Sequence, residues 1–125
     1  MANLSGIWLG TYWQQGVPTR FEMTLVQGEN SLSGNILDDN YLGEASLAGE
    51  VVGRKVTFTK RYLMRSRHTV SYSGTLSSDE KLIQGQWQID LFNGGNWEAY
   101  RSDDNLSLTL ENRQEKKTPT LAGES

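Results

Sequence analysis

The chain has no cysteine. Disulfide scaffolds, thiolate metal sites and cysteine nucleophiles are therefore excluded. Histidine is nearly absent as well, with one residue, His68, and that removes a histidine-rich metal centre. Neither a metal nor a cofactor is expected. A basic excess is also lacking. Twelve Lys and Arg face 15 Asp and Glu, for a net charge of -3, which argues against a nucleic-acid binder. No apolar run is long enough to cross a bilayer. The first residues, Met1-Ala-Asn-Leu-Ser-Gly6, show neither the basic nor the apolar part of an export signal. The cytoplasm is the expected compartment.

What is present is glycine beside large side chains. Trp8, Gly10 and Tyr12 share one phase of an extended strand. Pairs of the same kind return at Leu32/Gly34, Leu47/Gly49, Tyr72/Gly74 and Ile83/Gly85. Residues 21–25 alternate Phe21, Met23 and Leu25 with Glu22 and Thr24, the two-residue period of a sheet with one wet face. Short strands of this kind are predicted over residues 6–14, 19–27, 31–37, 43–52, 55–62, 68–76, 81–90 and 96–101. Gly, Asn, Asp and Ser punctuate the joints between them. No stretch holds a helical period over a dozen residues. The expectation is one all-β domain, an antiparallel up-and-down eight-stranded barrel over residues 1–101, closed so that no edge is exposed.

Residues 102–125 form a C-terminal extension. Leu106, Leu108 and Leu110 alternate with polar residues and suggest an extra strand over 105–111, followed by a disordered tail. A half-ordered tail is the equal alternative.

One phase per strand gives an inward set: Trp8, Tyr12, Phe21, Met23, Leu25, Ile36, Leu47, Val51, Val56, Phe58, Tyr62, Val70, Tyr72, Ile83, Trp87, Ile89 and Trp97. Gly10, Gly34, Gly49, Gly74 and Gly85 fall in the same phase. Two readings compete for these glycines: they let the sheet coil, or they leave volume for a ligand. Lys60 also falls in the inward phase, and near its strand end it is expected to snorkel outward.

The Gly6-x-Trp8 start, with Arg101 ending the last strand, resembles the calycin superfamily signature. In that superfamily the tryptophan plugs one barrel end and the arginine packs across it. The resemblance extends towards avidin/streptavidin-like and lipocalin-like small barrels. Leu4-Ser-Gly-Ile-Trp8, Leu32-Ser-Gly34, Leu47-Ala-Gly49, Val56-Thr-Phe58 with Tyr62, Tyr72-Ser-Gly74 and Gln86-Trp87 follow that branch in order and spacing. It implies a binding barrel that associates through its walls, as a dimer or tetramer. The biotin contacts do not carry over. Gly10 and Gln14 stand where an Asn and a Ser would hold the ureido oxygen. His68 and Val70 replace the strand-six Ser and Thr, and no Asp follows Trp97 at the required distance. Buried polar atoms of biotin would go unpaired, so biotin is not the expected ligand.

Three functions follow. The first is a binding protein for a small hydrophobic or aromatic molecule. Tyr12, Phe58, Tyr62, Tyr72, Trp87 and Trp97 would form its walls, and Arg65, Arg67 and His68 would meet an anionic end. The basic loop holding those last three reads first as a solvated hairpin tip, since charge runs usually face water. The second is an assembly module with a packed lumen that works through its outer wall, where Trp13 and residues 106–110 would lie. The third is an isomerase-like enzyme, for which His68 has no legible acid–base partner. Catalytic residues are not assigned. Asp38-Asp39-Asn40 reads as a turn, since it lacks the ligand spacing of a calcium loop. Neither nucleic acid nor membrane is an expected partner.

Overall fold

A computed structural model of the chain describes residues 3–40, 42–64 and 69–102. Eight strands run in order: β1 (Gly6–Gln14), β2 (Val17–Gly28), β3 (Ser31–Asp38), β4 (Glu44–Val52), β5 (Lys55–Tyr62), β6 (Thr69–Leu76), β7 (Leu82–Gln88) and β8 (Gly94–Arg101). Each pairs antiparallel with its sequence neighbour, and β8 pairs with β1, which closes the barrel. None of the described residues is helical. The proposed strand over 105–111 and the tail lie outside the described residues.

The turns explain the register. Gln15 and Gly16, with φ of 50° and 82°, give the β1–β2 hairpin the backbone twist that matches its strands. Gly53, at φ 62°, plays the same part between β4 and β5. β2 begins earlier than the alternation suggested. Pro18 joins it opposite Trp13, so the ladder runs on through the proline. β7 ends at Gln88 rather than Asp90, because Asp90 turns inward on its own loop and accepts from the Phe92 and Asn93 amides. Ile89, expected inside, is therefore 38% exposed.

The rest of the inward set is buried, joined by Leu4, Leu32, Ala45, Leu76 and Ala99. The glycines prove to serve packing. A Cβ on Gly49 or Gly85 would fall on the carbonyl oxygen of Thr57 or Ser73 on the adjacent strand. At Gly10, Gly74 and Gly95 the missing Cβ makes room for the rings of Phe21, Trp97 and Trp87. Neighbouring aromatics, rather than an open cavity, take up that space.

The two ends of the barrel differ. At the floor, Trp8 is fully buried and donates its indole N–H to the Leu4 carbonyl, 3.0 Å away. The Arg101 guanidinium lies 4.6 Å from the Trp8 ring centroid and also donates to the carbonyls of Asn3, Ser5 and Glu80. The opposite end, the mouth, is where β1, β3, β5 and β7 end and β2, β4, β6 and β8 begin.

Candidate functional site

Among the described residues, the mouth carries the one polar cluster in an otherwise apolar lumen. β3 alternates Leu32, Gly34, Ile36 and Asp38 inward, so Asp38 arrives at the strand end with its side chain in the barrel. Its carboxylate is buried. The next inward position on β5 after Val56 and Phe58 is Lys60, followed by Tyr62. Lys60 does not snorkel outward. It is 1% exposed, and its Nζ lies 2.9 and 2.8 Å from Asp38 Oδ1 and Oδ2.

Three tyrosines enclose this ion pair. Tyr62 donates to Asp38 Oδ2 at 2.6 Å and Tyr12 donates to the same oxygen at 3.1 Å. Asn40 donates to the Tyr12 hydroxyl oxygen at 3.1 Å while its own carbonyl caps the Leu42 amide. Tyr72 reaches up from β6, its hydroxyl oxygen 3.5 Å from Lys60 Nζ. The ammonium lies 4.6, 4.9 and 5.7 Å from the ring centroids of Tyr62, Tyr12 and Tyr72, so cation–π attraction adds to the carboxylate contact.

Burial shapes the electrostatics. Desolvation draws the Lys60 ammonium below the ordinary lysine value, and the Asp38 charge opposes that shift without cancelling it. Tyr12, Tyr62 and Tyr72 are all pushed above the ordinary phenol value, first by burial, with the Asp38 charge adding to it. The geometry is that of one ion pair enclosed by three phenols.

Around it stand the aromatic residues anticipated as walls. Tyr12 meets Phe21 and the edge of Trp87 at centroid distances of 6.2 and 6.0 Å. Phe58 stacks on Tyr72 at 4.8 Å, and Trp97 sets its edge against both. Phe58 and Trp97 lie deeper, as packed core, with the Trp97 indole N–H on the Ser73 carbonyl. Trp87 donates to the Trp13 carbonyl. Each of these side chains is at most 8% exposed, so the lumen is filled up to the Lys60 layer. What exposure remains is greatest at Tyr62 and Tyr12, at the mouth. Leu42, half-buried, packs on the core from the β3–β4 turn at the same end.

Arg65, Arg67 and His68 lie outside the described residues. Trp8 and Arg101 occupy the floor, away from the cluster. Sequence reasoning missed Asp38 and Asn40 as site residues and turned Lys60 the wrong way. The phase of β3, which puts Asp38 in line with Ile36, was the available signal. No group of three or more His, Cys, Asp or Glu among the described residues is arranged to hold a metal ion.

The outer wall offers a second, shallower feature. A trough crosses β5 to β8 over Thr57, Ser73, Gln86 and Asn96, with half-buried Trp13 at one side. A neighbouring trough reaches Leu91 and Phe92, which are 85% and 90% exposed. No protein-family model matches the chain, and neither does any curated protein compared with it by sequence.

Proposed function

We propose that the chain is a binding protein that holds a small, largely aromatic molecule at the mouth of the barrel, against the Lys60–Asp38 layer. The observation that carries this reading is the buried ion pair itself. Two charges withdrawn from water contribute little net stability, and well-packed apolar residues of the same volume often do as well or better. A lumen that needed only to be a core would be served by leucine. Small-molecule sites, in contrast, set a few convergent polar groups among aromatic walls. The cluster has that composition, and it lies at the end with the residual exposure. The resemblance to small calycin barrels points the same way.

The ligand would enter past Leu42 and rest among Tyr12, Tyr62, Phe21 and Trp87. The packed floor supports a shallow mouth site rather than a deep one. Native mass spectrometry of protein purified without denaturation, repeated after unfolding, tests the reading. A small-molecule mass carried by the folded chain and lost on unfolding would support it. An apo chain whose Trp87 fluorescence responds to no member of an aromatic ligand panel would sink it.

A second reading, an assembly module, draws on the exposed Leu91 and Phe92 beside an outer trough of mostly uncharged residues. The same native spectrum reports on it, as a homo-oligomer that Phe92→Ser disperses.

A further inference from the structure

Hydrogen-bond arithmetic in the cluster leaves a specific deficit. The Asp38 carboxylate accepts four bonds, one on Oδ1 from Lys60 and three on Oδ2 from Lys60, Tyr62 and Tyr12. Each carboxylate oxygen offers about two lone-pair positions, so Oδ2 is fully used and Oδ1 keeps one, which the Tyr72 hydroxyl does not reach. Tyr62 and Tyr12 have spent their single hydrogens on it. Asn40 donates an N–H to the Tyr12 oxygen, and its Oδ1 accepts from the Leu42 N–H.

Two hydrogens are left over. The Tyr72 O–H, on a side chain that is 3% exposed, finds no acceptor among the described residues. The third Lys60 N–H has only the Tyr72 oxygen, 3.5 Å away, at the outer limit of a hydrogen bond. Both are donors, they belong to atoms 3.5 Å apart, and both are buried. A buried donor without an acceptor is costly and uncommon in native proteins.

We infer that Tyr72 and Lys60 together form the recognition point for an oxygen acceptor on the ligand, and that this oxygen is a neutral carbonyl. The inference rests on the binding reading above and names its ligand class. Charge decides between acceptors. Lys60 and Asp38 already cancel, so a carboxylate would bring an unpaired negative charge into a buried site. A cationic ligand would likewise bring an unpaired positive charge beside an ion pair that is already balanced. A ketone, aldehyde or amide oxygen takes both donors and leaves the net charge at zero. The surrounding rings of Tyr12, Phe21 and Trp87 suit an aromatic remainder.

Three near-isosteric probes test this on the intact chain: 2-acetylnaphthalene, 2-ethylnaphthalene and 2-naphthoate, followed by calorimetry at neutral pH. The acetyl compound should bind about tenfold more tightly than the ethyl compound, as one or two net hydrogen bonds would give. Naphthoate should bind more weakly than the acetyl compound. Tyr72→Phe should weaken acetyl binding and narrow its gap to the ethyl compound, the Lys60 N–H remaining, and leave ethyl binding unchanged. In the infrared, the bound ketone stretch should move to lower frequency in the native protein, and that shift should shrink in Tyr72→Phe. Equal affinity for acetyl and ethyl compounds would overturn the carbonyl assignment while the binding reading stands. Tightest binding by naphthoate would overturn the neutral-oxygen argument. If none of the three binds, the binding reading falls and takes this inference with it. Should Tyr72→Phe fail to fold, the stretch in the native protein decides alone.

Discussion

Lys60 and Asp38 meet through both carboxylate oxygens at 2.9 and 2.8 Å, from strands separated by the whole of β4, with neither side chain open to solvent. A pair of this kind is strongly asymmetric in its energetics. Its formation contributes little, but the loss of one partner strands the other charge in the lumen.

Lys60→Met should therefore destabilise the barrel by about 3–5 kcal/mol, and Asp38→Leu by a similar amount. The double variant should recover most of that loss and come within about 1–2 kcal/mol of the native protein or exceed it. Urea denaturation of the four proteins measures the cycle. Additive losses would mean that the two residues act separately.

The phenols make an alkaline prediction. Tyr12, Tyr62 and Tyr72 keep their protons above the ordinary value of 10.0 in the folded chain. Above that pH the unfolded chain releases these protons first, so stability falls as pH rises. Lys60 works in the opposite sense. Its lowered value means that, in the interval below 10.5, the unfolded chain holds the extra proton and rising pH favours folding. Three groups outweigh one, and net destabilisation is expected above about pH 10. In a spectrophotometric titration, three of the five tyrosines should ionise only as the near-ultraviolet circular dichroism is lost. Smooth ionisation of all five with the fold intact would refute the buried cluster.

Gly74→Ala tests the packing account of the glycines. The new methyl would stand 2.9 Å from Trp97 Cζ2 and 3.0 Å from Ile83 Cγ2. Overpacking of this kind costs about 1–3 kcal/mol. The Trp97 ring should move, visible as a changed fluorescence maximum. An unchanged Tm and spectrum would show spare room where the structure has none.

At the floor, Arg101→Ala should remove the cation over Trp8 together with its bonds to the Asn3, Ser5 and Glu80 carbonyls. A loss of about 2 kcal/mol is expected from a charged donor to backbone oxygens plus a partly exposed cation–π contact. Arg101→Lys should restore only part of it, since a lysine cannot fork to several acceptors. Ligand affinity at the mouth should be unaffected, because this contact lies at the other end.

The barrel was legible in the sequence because alternation and turn residues are local signals. β1, from Gly6 to Gln14, and β5, from Lys55 to Tyr62, lie where periodicity placed them. Ile89 went astray because its phase was right but its strand had already ended, a consequence of the Asp90 side chain bonding to its own loop. The Lys60–Asp38 pair was not legible for a different reason. Each residue alone resembles a surface charge near a strand end, and Asp38 opens a sequence rich in turn formers. Their partnership depends on the register that sets Leu47 between Gly34 and Lys60 across three strands. That information is non-local. The Tyr72 hydroxyl without an acceptor among the described residues is further removed still, since it is a count of bonds left over after every neighbour is placed.

The seam between β1 and β8 has a kinetic consequence. Seven of the eight strand pairs join sequence neighbours and can zip from short hairpins, whereas the Arg101–Ser5 bond spans 96 residues. Closing a loop of that length carries an entropic penalty that the short hairpins avoid. Non-local pairing of this kind slows folding. Until β8 meets β1, the nascent sheet is an open ribbon with β1 and β8 as bare edges, able to pair with another chain. The seam thus makes the barrel most vulnerable to aggregation late in folding, just before it becomes edge-free.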